Sequence, residues 1–241
     1  TSIERYAHLP LHITPLTRGT MLTMPKPDLA LDHLVITCRH LDDGIRYIEQ
    51  MFDVLIPAGG QHLFMGTHNA VMAIGDGIYL EVIAIDPDLP QPARPRWFGL
   101  DTMGDDQPKL AHFVLRTTDM DATLDDLPGD QAEMIGPAMA ASRGNLNWRI
   151  TLNPTGLPPE GGCLPALIEW DGTPPQYSMA FPGPELGKLT LCHPQPERFR
   201  ENLIRLGAGA MLNGGILDIA LSDQPRLKAE FSHAGQSIII E

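Results

Sequence analysis

Two histidines and two glutamates recur at matching positions in this chain. Residues 31–45 read LDHLVITCRHLDDGI and residues 110–124 read LAHFVLRTTDMDATL, so that His33 corresponds to His112. A strand-like segment with a glutamate follows each stretch: Glu81 in YLEVIAID and Glu169 in ALIEWDG. Two imidazoles and two carboxylates suit a divalent metal such as zinc, nickel, manganese or iron. We therefore expect a metal site at these four residues, with Glu81 or Glu169 able to serve as a general base.

Strands must position these side chains. Residues 30–38 are apolar and are followed, in residues 42–52, by apolar residues at helical spacing. Two further apolar runs flank the Gly-Asp-Gly of residues 75–77, which is typical of a hairpin. Because side chains alternate along a strand, His33 is expected on the same face as Leu31 and Val35. The pattern predicts a βαβββ unit whose first and last strands carry the histidine and the glutamate.

The repetition of this unit predicts an α+β fold in which paired βαβββ modules form a cupped mixed or antiparallel sheet. A third, partial module follows, with Lys188 at the position that matches His33. The expected organisation is an N-terminal arm (1–29), a first module (30–85), a Pro-rich linker (86–109), a second module (110–172) and the third partial module (173–241).

Composition narrows the functional classes. The 241 residues are 43% hydrophobic, which is sufficient for a packed core. The formal net charge of -13 argues against nucleic acid and against an anionic membrane surface. No run of residues has the length and apolarity of a membrane span. Three cysteines without a CxxC pair indicate a reducing compartment, so we expect a cytoplasmic protein.

Five more residues are candidates for substrate contact. His62 and Asn69 belong to a polar cluster before a predicted strand, where such residues can instead satisfy a turn. Each of the two arginines has a tryptophan as a neighbour in the sequence, since Arg96 precedes Trp97 and Arg149 follows Trp148. In an acidic chain these arginines could bind the carboxylate or phosphate of a small, anionic substrate. A surface stack or a salt bridge is the alternative.

Several segments together resemble the glyoxalase-like domain family of the vicinal oxygen chelate superfamily. They are LDHLVI, GGQHLFMGTHNAVMAIGDGIYLEVIA, RPRWFGLD and NWRITLNP, and the resemblance extends over about residues 30–240. It implies paired βαβββ modules around a cupped site, completed within one chain or across a homodimer. It also implies that His33, Glu81, His112 and Glu169 match the metal-ligand positions of the metal-dependent members.

Three functions follow as hypotheses. The first is a metal-dependent lyase or isomerase that chelates two neighbouring oxygens of a small metabolite and stabilises an enediolate. The second is a metal-free protein that binds a small molecule, as resistance proteins of this superfamily do. The third is a ring-cleaving dioxygenase, which requires two histidines and one glutamate on ferrous iron.

Overall fold

The structure is a computed structural model that describes residues 29–104, 107–179 and 181–241. The predicted arm lies outside the described residues, apart from Leu29. The strands are β1 (Ala30–Thr37), β2 (Ala58–His62), β3 (Thr67–Ala73), β4 (Tyr79–Ile85), β5 (Lys109–Arg116), β6 (Ala138–Arg143), β7 (Leu146–Thr151), β8 (Ala166–Asp171), β9 (Glu185–His193), β10 (Leu217–Leu221), β11 (Arg226–His233) and β12 (Gln236–Ile240). The α-helices are α1 (Leu41–Phe52), α2 (Met120–Asp125), α3 (Gly129–Ile135), α4 (Pro196–Leu206) and α5 (Gly209–Asn213).

Eight strands form one mixed sheet in the order β2-β3-β4-β1-β5-β8-β7-β6. In each half the first strand of the unit lies parallel to the last, β1 beside β4 and β5 beside β8. The halves meet where β1 and β5 run antiparallel. The predicted α+β fold of paired βαβββ modules is confirmed, whereas the domain boundaries stay predictions.

The two ends of this sheet curl toward each other. β2 and β6, at opposite ends of the strand order, are in contact. Gly60 on β2 lies beneath the side chain of Arg143 on β6, and a Cβ added to Gly60 would stand 2.9 Å from Arg143 Cδ. The curled sheet therefore forms a cup whose rim is closed by Arg143.

Each face of the sheet has its own apolar cluster. On the convex face α1 buries Ile48 and Phe52, one helical turn apart, against the sheet. On the concave face the cluster includes Val35, Ile83 and Trp97. Burial on both faces explains why β1 and β4 are almost continuously apolar.

The third unit forms a separate four-stranded sheet in the order β10-β9-β11-β12. Its predicted helix is α4, but its connections differ from those of the first two units. Here the first strand pairs in parallel with the next strand, β10, and not with the last one. This sheet covers the convex face, where Phe231 packs edge-on against Phe52 with ring centroids 5.1 Å apart. No helix in the described ranges has the length and apolarity to cross a membrane.

Strand β6 and helix α3 were not predicted from the sequence. Residues 136–145 read GPAMAASRGN, a run of small and turn-forming residues with little strand propensity. β6 nevertheless pairs with β7 along its whole length. The two strands form a local hairpin whose turn consists of Gly144 and Asn145, and β6 also contacts β2 where the sheet curls.

Candidate functional site

A buried polar cluster on the concave face centres on His33 and Glu81. The β1–β4 register places Val35 beside Glu81 and His33 beside Tyr79, and the His33 and Tyr79 rings stack with centroids 4.4 Å apart. His33 Nε2 lies 3.6 Å from Glu81 Oε2. Both side chains border a cavity of about 30 Å³, which is on the scale of a single water molecule.

A β-bulge at Asp32 sets the direction of the His33 ring. The β1–β5 register shifts between Leu31 and His33, so Asp32 is an extra residue in β1. As a result Leu31 packs on the convex face while Val35 packs on the concave face. The expectation that His33 shares its face with Leu31 is therefore wrong, and only Val35 shares it. The bulge also allows Asp32 Oδ1 to meet His33 Nδ1 at 2.8 Å.

Asp32 is fully buried and is surrounded by donors. Its Oδ2 accepts hydrogen bonds from Arg116 Nη1 (3.2 Å), Trp170 Nε1 (3.1 Å) and Gln176 Nε2 (2.9 Å). Burial alone raises the pKa of Asp32, but the neighbouring His33 and the other donors outweigh burial, so the pKa lies below its ordinary value. An ionised Asp32 can only accept, so His33 Nδ1 carries the proton and Nε2 faces Glu81.

On the other side of Glu81, Asn69 is held in one orientation. Asn69 Nδ2 donates to Glu81 Oε1 at 2.6 Å. Asn69 Oδ1 accepts from the Gly60 backbone N–H and from Arg143 Nη1, both at 2.9 Å. A Cβ on Gly59 would stand 2.2 Å from Asn69 Oδ1, so glycine at that position makes this approach possible. These contacts orient the Glu81 carboxylate with Oε2 toward His33.

His62 forms part of the wall of the same cup. Its Nδ1 lies 3.1 Å from Thr67 Oγ1 and its Nε2 lies 3.4 Å from Arg143 Nη1. Burial is the largest cause that lowers the pKa of His62 to about 4; Glu81 opposes this shift and Arg143 adds to it. His62 is therefore neutral at pH 7, and both His62 and Asn69 border the cavity at His33.

The second predicted histidine lies in a neighbouring cavity. His112 is paired with Val35 across the β1–β5 boundary, and its Nδ1 lies 3.2 Å from the carbonyl oxygen of Gly162. Burial lowers its pKa to about 4. Trp97 and Phe98 line both the cavity at His33 and a smaller one at His112, of about 20 Å³. His112 lines the second cavity and not the first, and its ring centroid lies 5.6 Å from that of Phe98.

The second predicted glutamate lies on the opposite face of the sheet. Glu169 alternates with Ile168 and Trp170, which pack with the concave cluster. Its Oε1 accepts from the Met120 backbone N–H at 2.9 Å, and its Oε2 accepts from Arg149 Nε at 2.7 Å. Glu169 thus holds the start of α2.

The four predicted metal ligands are therefore not brought together. Within the described ranges no group of three or more His, Cys, Asp or Glu side chains is placed to hold a metal ion. The position on β8 that faces the cup belongs to Ile168, one residue before Glu169. A displacement of one residue along a strand moves a side chain to the other face. The duplicated pattern yields one facing pair, His33 and Glu81.

The remaining candidates have different surroundings. Arg96 is buried and forms an ion pair at 2.6 Å with Asp101, which is exposed, and so holds the loop that carries Trp97. Trp148 borders the cavity at His33 and also an open groove of about 700 Å³. Arg149 is paired with Glu169, and both of these side chains also line the open groove.

Two residues of the site were missed in the sequence. A regular strand would place Asp32 on the face opposite to His33, and only the bulge brings the two side chains together. Arg143 lies in the weak segment that forms β6, and no local signal connects it with Asn69. The adjacency of Asp32 to His33 was the one available signal.

Comparison with known proteins supports the fold. The sequence model described as a glyoxalase-like domain matches residues 31–207. A hypothetical protein from Staphylococcus aureus superposes with a TM-score of 0.60 at 13% identity, covering 89% of this chain and 99% of that chain. Methylmalonyl-CoA epimerase from Mycobacterium tuberculosis gives a TM-score of 0.39 at 16% identity, covering 61% and 91%. No curated protein matches the sequence.

Proposed function

Because this chain belongs to the glyoxalase-like domain family, we propose that it is an isomerase or lyase that transfers a proton at a carbon next to a carbonyl group. The substrate is a small, oxygen-rich metabolite. The observation that carries the proposal is the buried pair of His33 Nε2 and Glu81 Oε2, 3.6 Å apart. Asp32 contacts the other ring nitrogen of His33, and Asn69 donates to the other oxygen of Glu81.

In this proposal Glu81 is the base. Its Oε1 is occupied by Asn69, so Oε2 is the atom left to take a proton from the substrate carbon. The C–H electron pair moves into the carbonyl group and gives an enolate, while Glu81 becomes a neutral acid. His33 Nε2 faces the same oxygen and can receive or return that proton. Burial of both groups keeps competing water away from the proton.

The predicted metal does not fit the donor groups that surround this pair. His33 and Glu81 offer one nitrogen and one oxygen, whereas His112 lines a different cavity and Glu169 lies on the other face. We therefore derive no step through a metal. A ring-cleaving dioxygenase needs two histidines and a carboxylate on one ion, which this arrangement does not supply.

The test is hydrogen exchange. The protein is incubated in deuterium oxide with a panel of 2-hydroxy acids, 2-oxo acids and their thioesters, and loss of the α-proton is followed by NMR. Changing Glu81→Gln should slow exchange by about a hundredfold or more, the usual contribution of a general base. Glu201→Gln is the control, because that carboxylate is exposed on α4, in the third unit. Equal rates in wild type and Glu81→Gln would refute the proposal.

A second candidate is a protein that binds a small molecule without changing it. It is favoured by the aromatic wall of the cup, in which Trp97, Trp148 and Trp170 surround the cavity. Aromatic side chains provide large contact surfaces for a ligand. Saturable quenching of tryptophan fluorescence by a compound whose α-proton does not exchange would support this candidate over the enzyme.

A further inference from the structure

Arg143 differs from the other arginines near the cup. Arg96 pairs with Asp101, Arg116 with Asp32, and Arg149 with Glu169. Arg143 forms no ion pair with any residue in the described part of the chain. Its hydrogen-bond partners there are two neutral groups, Asn69 Oδ1 at 2.9 Å and His62 Nε2 at 3.4 Å.

The guanidinium of Arg143 also has free donors. Both of its contacts use Nη1. No residue of the described ranges accepts a hydrogen bond from Nε or Nη2, and the side chain is half-buried at the cavity that contains His33 and Glu81. A guanidinium has five N–H donors in a planar fork, and a carboxylate matches that fork with two parallel hydrogen bonds.

The backbone is shaped to hold Arg143 at this place. Gly60 leaves the space that the Arg143 stem occupies, since a Cβ there would stand 2.9 Å from Arg143 Cδ. The Gly60 N–H and Arg143 Nη1 bind the same oxygen of Asn69. Nη1 of Arg143 is therefore fixed by Asn69, which in turn donates to Glu81, while Nε and Nη2 are available to a ligand.

From this geometry we propose that Arg143 binds the carboxylate of the substrate and so selects small carboxylic acids. Arg96 and Arg149, the arginines expected from the sequence to do this, are paired with carboxylates of the protein. The inference rests on the proposed function in one respect, namely that the cavity at His33 and Glu81 is the substrate site. The carboxylate binds Nε and Nη2 of Arg143, and the adjacent carbon is presented to Glu81. The cavity of about 30 Å³ is too small for a whole metabolite, so the rest of the ligand extends into the groove of about 700 Å³ that shares Trp148 with it.

The experiment measures binding apart from turnover. The probe is 2-hydroxyisobutyrate, which has no hydrogen on its α-carbon, and its neutral counterpart is 2-hydroxyisobutyramide. Dissociation constants are measured by calorimetry at low ionic strength. Wild type should bind the acid more tightly than the amide by about tenfold to a hundredfold, the range for hydrogen bonds to a charged group. Arg143→Gln should remove this preference, and Arg143→Lys should retain part of it.

Two more variants test whether the position of the guanidinium matters and whether the effect is specific to Arg143. Gly60→Ala keeps the charge but displaces the Arg143 stem, so it should weaken binding of the acid and leave binding of the amide unchanged. The exposed Arg198 on α4 is the control, and Arg198→Gln should bind as wild type does. If Arg143→Gln does not fold, Arg143→Lys and Gly60→Ala decide the question.

Three results would overturn the inference: equal binding of acid and amide by wild type, undiminished binding of the acid by the Arg143 variants, or tighter binding of inorganic phosphate than of the acid. Each is independent of whether Glu81 transfers a proton, because the α-carbon of the probe carries no hydrogen. Conversely, acid binding through Arg143 without exchange in any α-hydrogen compound would leave the inference standing and remove the proposed enzyme.

Discussion

Acidification from pH 6.5 to pH 4 should destabilise this protein through two buried histidines. His62 and His112 both have a folded-state pKa of about 4, mainly because burial disfavours the charged ring. The unfolded chain has the ordinary value of 6.5. Between these two pH values the unfolded chain binds protons that the folded protein does not. The stability that these histidines confer is therefore fully present above pH 6.5 and is lost as the pH falls toward 4.

The size of the effect follows from the shifts. One pKa unit corresponds to about 1.4 kcal/mol, so a change from 6.5 to about 4 gives about 3 kcal/mol for each histidine by pH 4. Two such losses are a large part of the roughly 5–15 kcal/mol that stabilises a typical domain. Asp32 acts in a lower window, because its folded pKa lies below the ordinary 3.8 and its contribution is lost only as the pH falls through and below that value.

The assay is urea unfolding followed by tryptophan fluorescence at several pH values from 8 to 4.5. The free energy of unfolding of wild type should fall steadily below pH 6.5. His112→Asn retains a donor near the position of Nδ1, which faces the Gly162 carbonyl, but cannot titrate. The variant should be less stable at pH 8 and should lose less stability on acidification. A variant whose free energy falls as steeply as that of wild type would refute the reasoning.

Three further predictions concern other residues. Asp32→Asn should lower the free energy of unfolding by about 3 kcal/mol, because Arg116 loses the charge of a buried partner; an unchanged urea midpoint would contradict this. At Phe98, whose φ is 57°, glycine should be more stable than alanine by about 1 kcal/mol, the reverse of the usual order; comparison of the two melting curves decides. Cys38 and Cys163 are buried with pKa values raised to about 12 by burial, so neither should react with a thiol reagent at pH 8 until urea unfolds the protein.

The sequence was sufficient for the fold class and for the pairing of two modules, but not for β6, α3 or the connections of the third unit. Apolar alternation, the Gly-Asp-Gly hairpin and the repeated LDHLVI and LAHFVL segments are local signals, and they predict the paired βαβββ modules that the structure contains. They also singled out His33, Glu81, His112 and Glu169, because histidines and carboxylates within apolar strands need partners, and the structure pairs His33 with Glu81 only. The first and last strands of one module are neighbours, so the topology makes this pairing possible, but β5 and β8 are neighbours too and do not pair His112 with Glu169.

The tertiary structure decided the rest of the site. The bulge at Asp32, which turns that carboxylate toward His33, depends on how β1 pairs with β5. The placement of Glu169 outside the cup depends on which face of β8 is buried, and a shift of one residue reverses it. Arg143 reaches Asn69 only because the sheet curls until its two edges meet. Contacts between distant segments set all three, and the adjacency of Asp32 to His33 is the one local signal that the sequence offers.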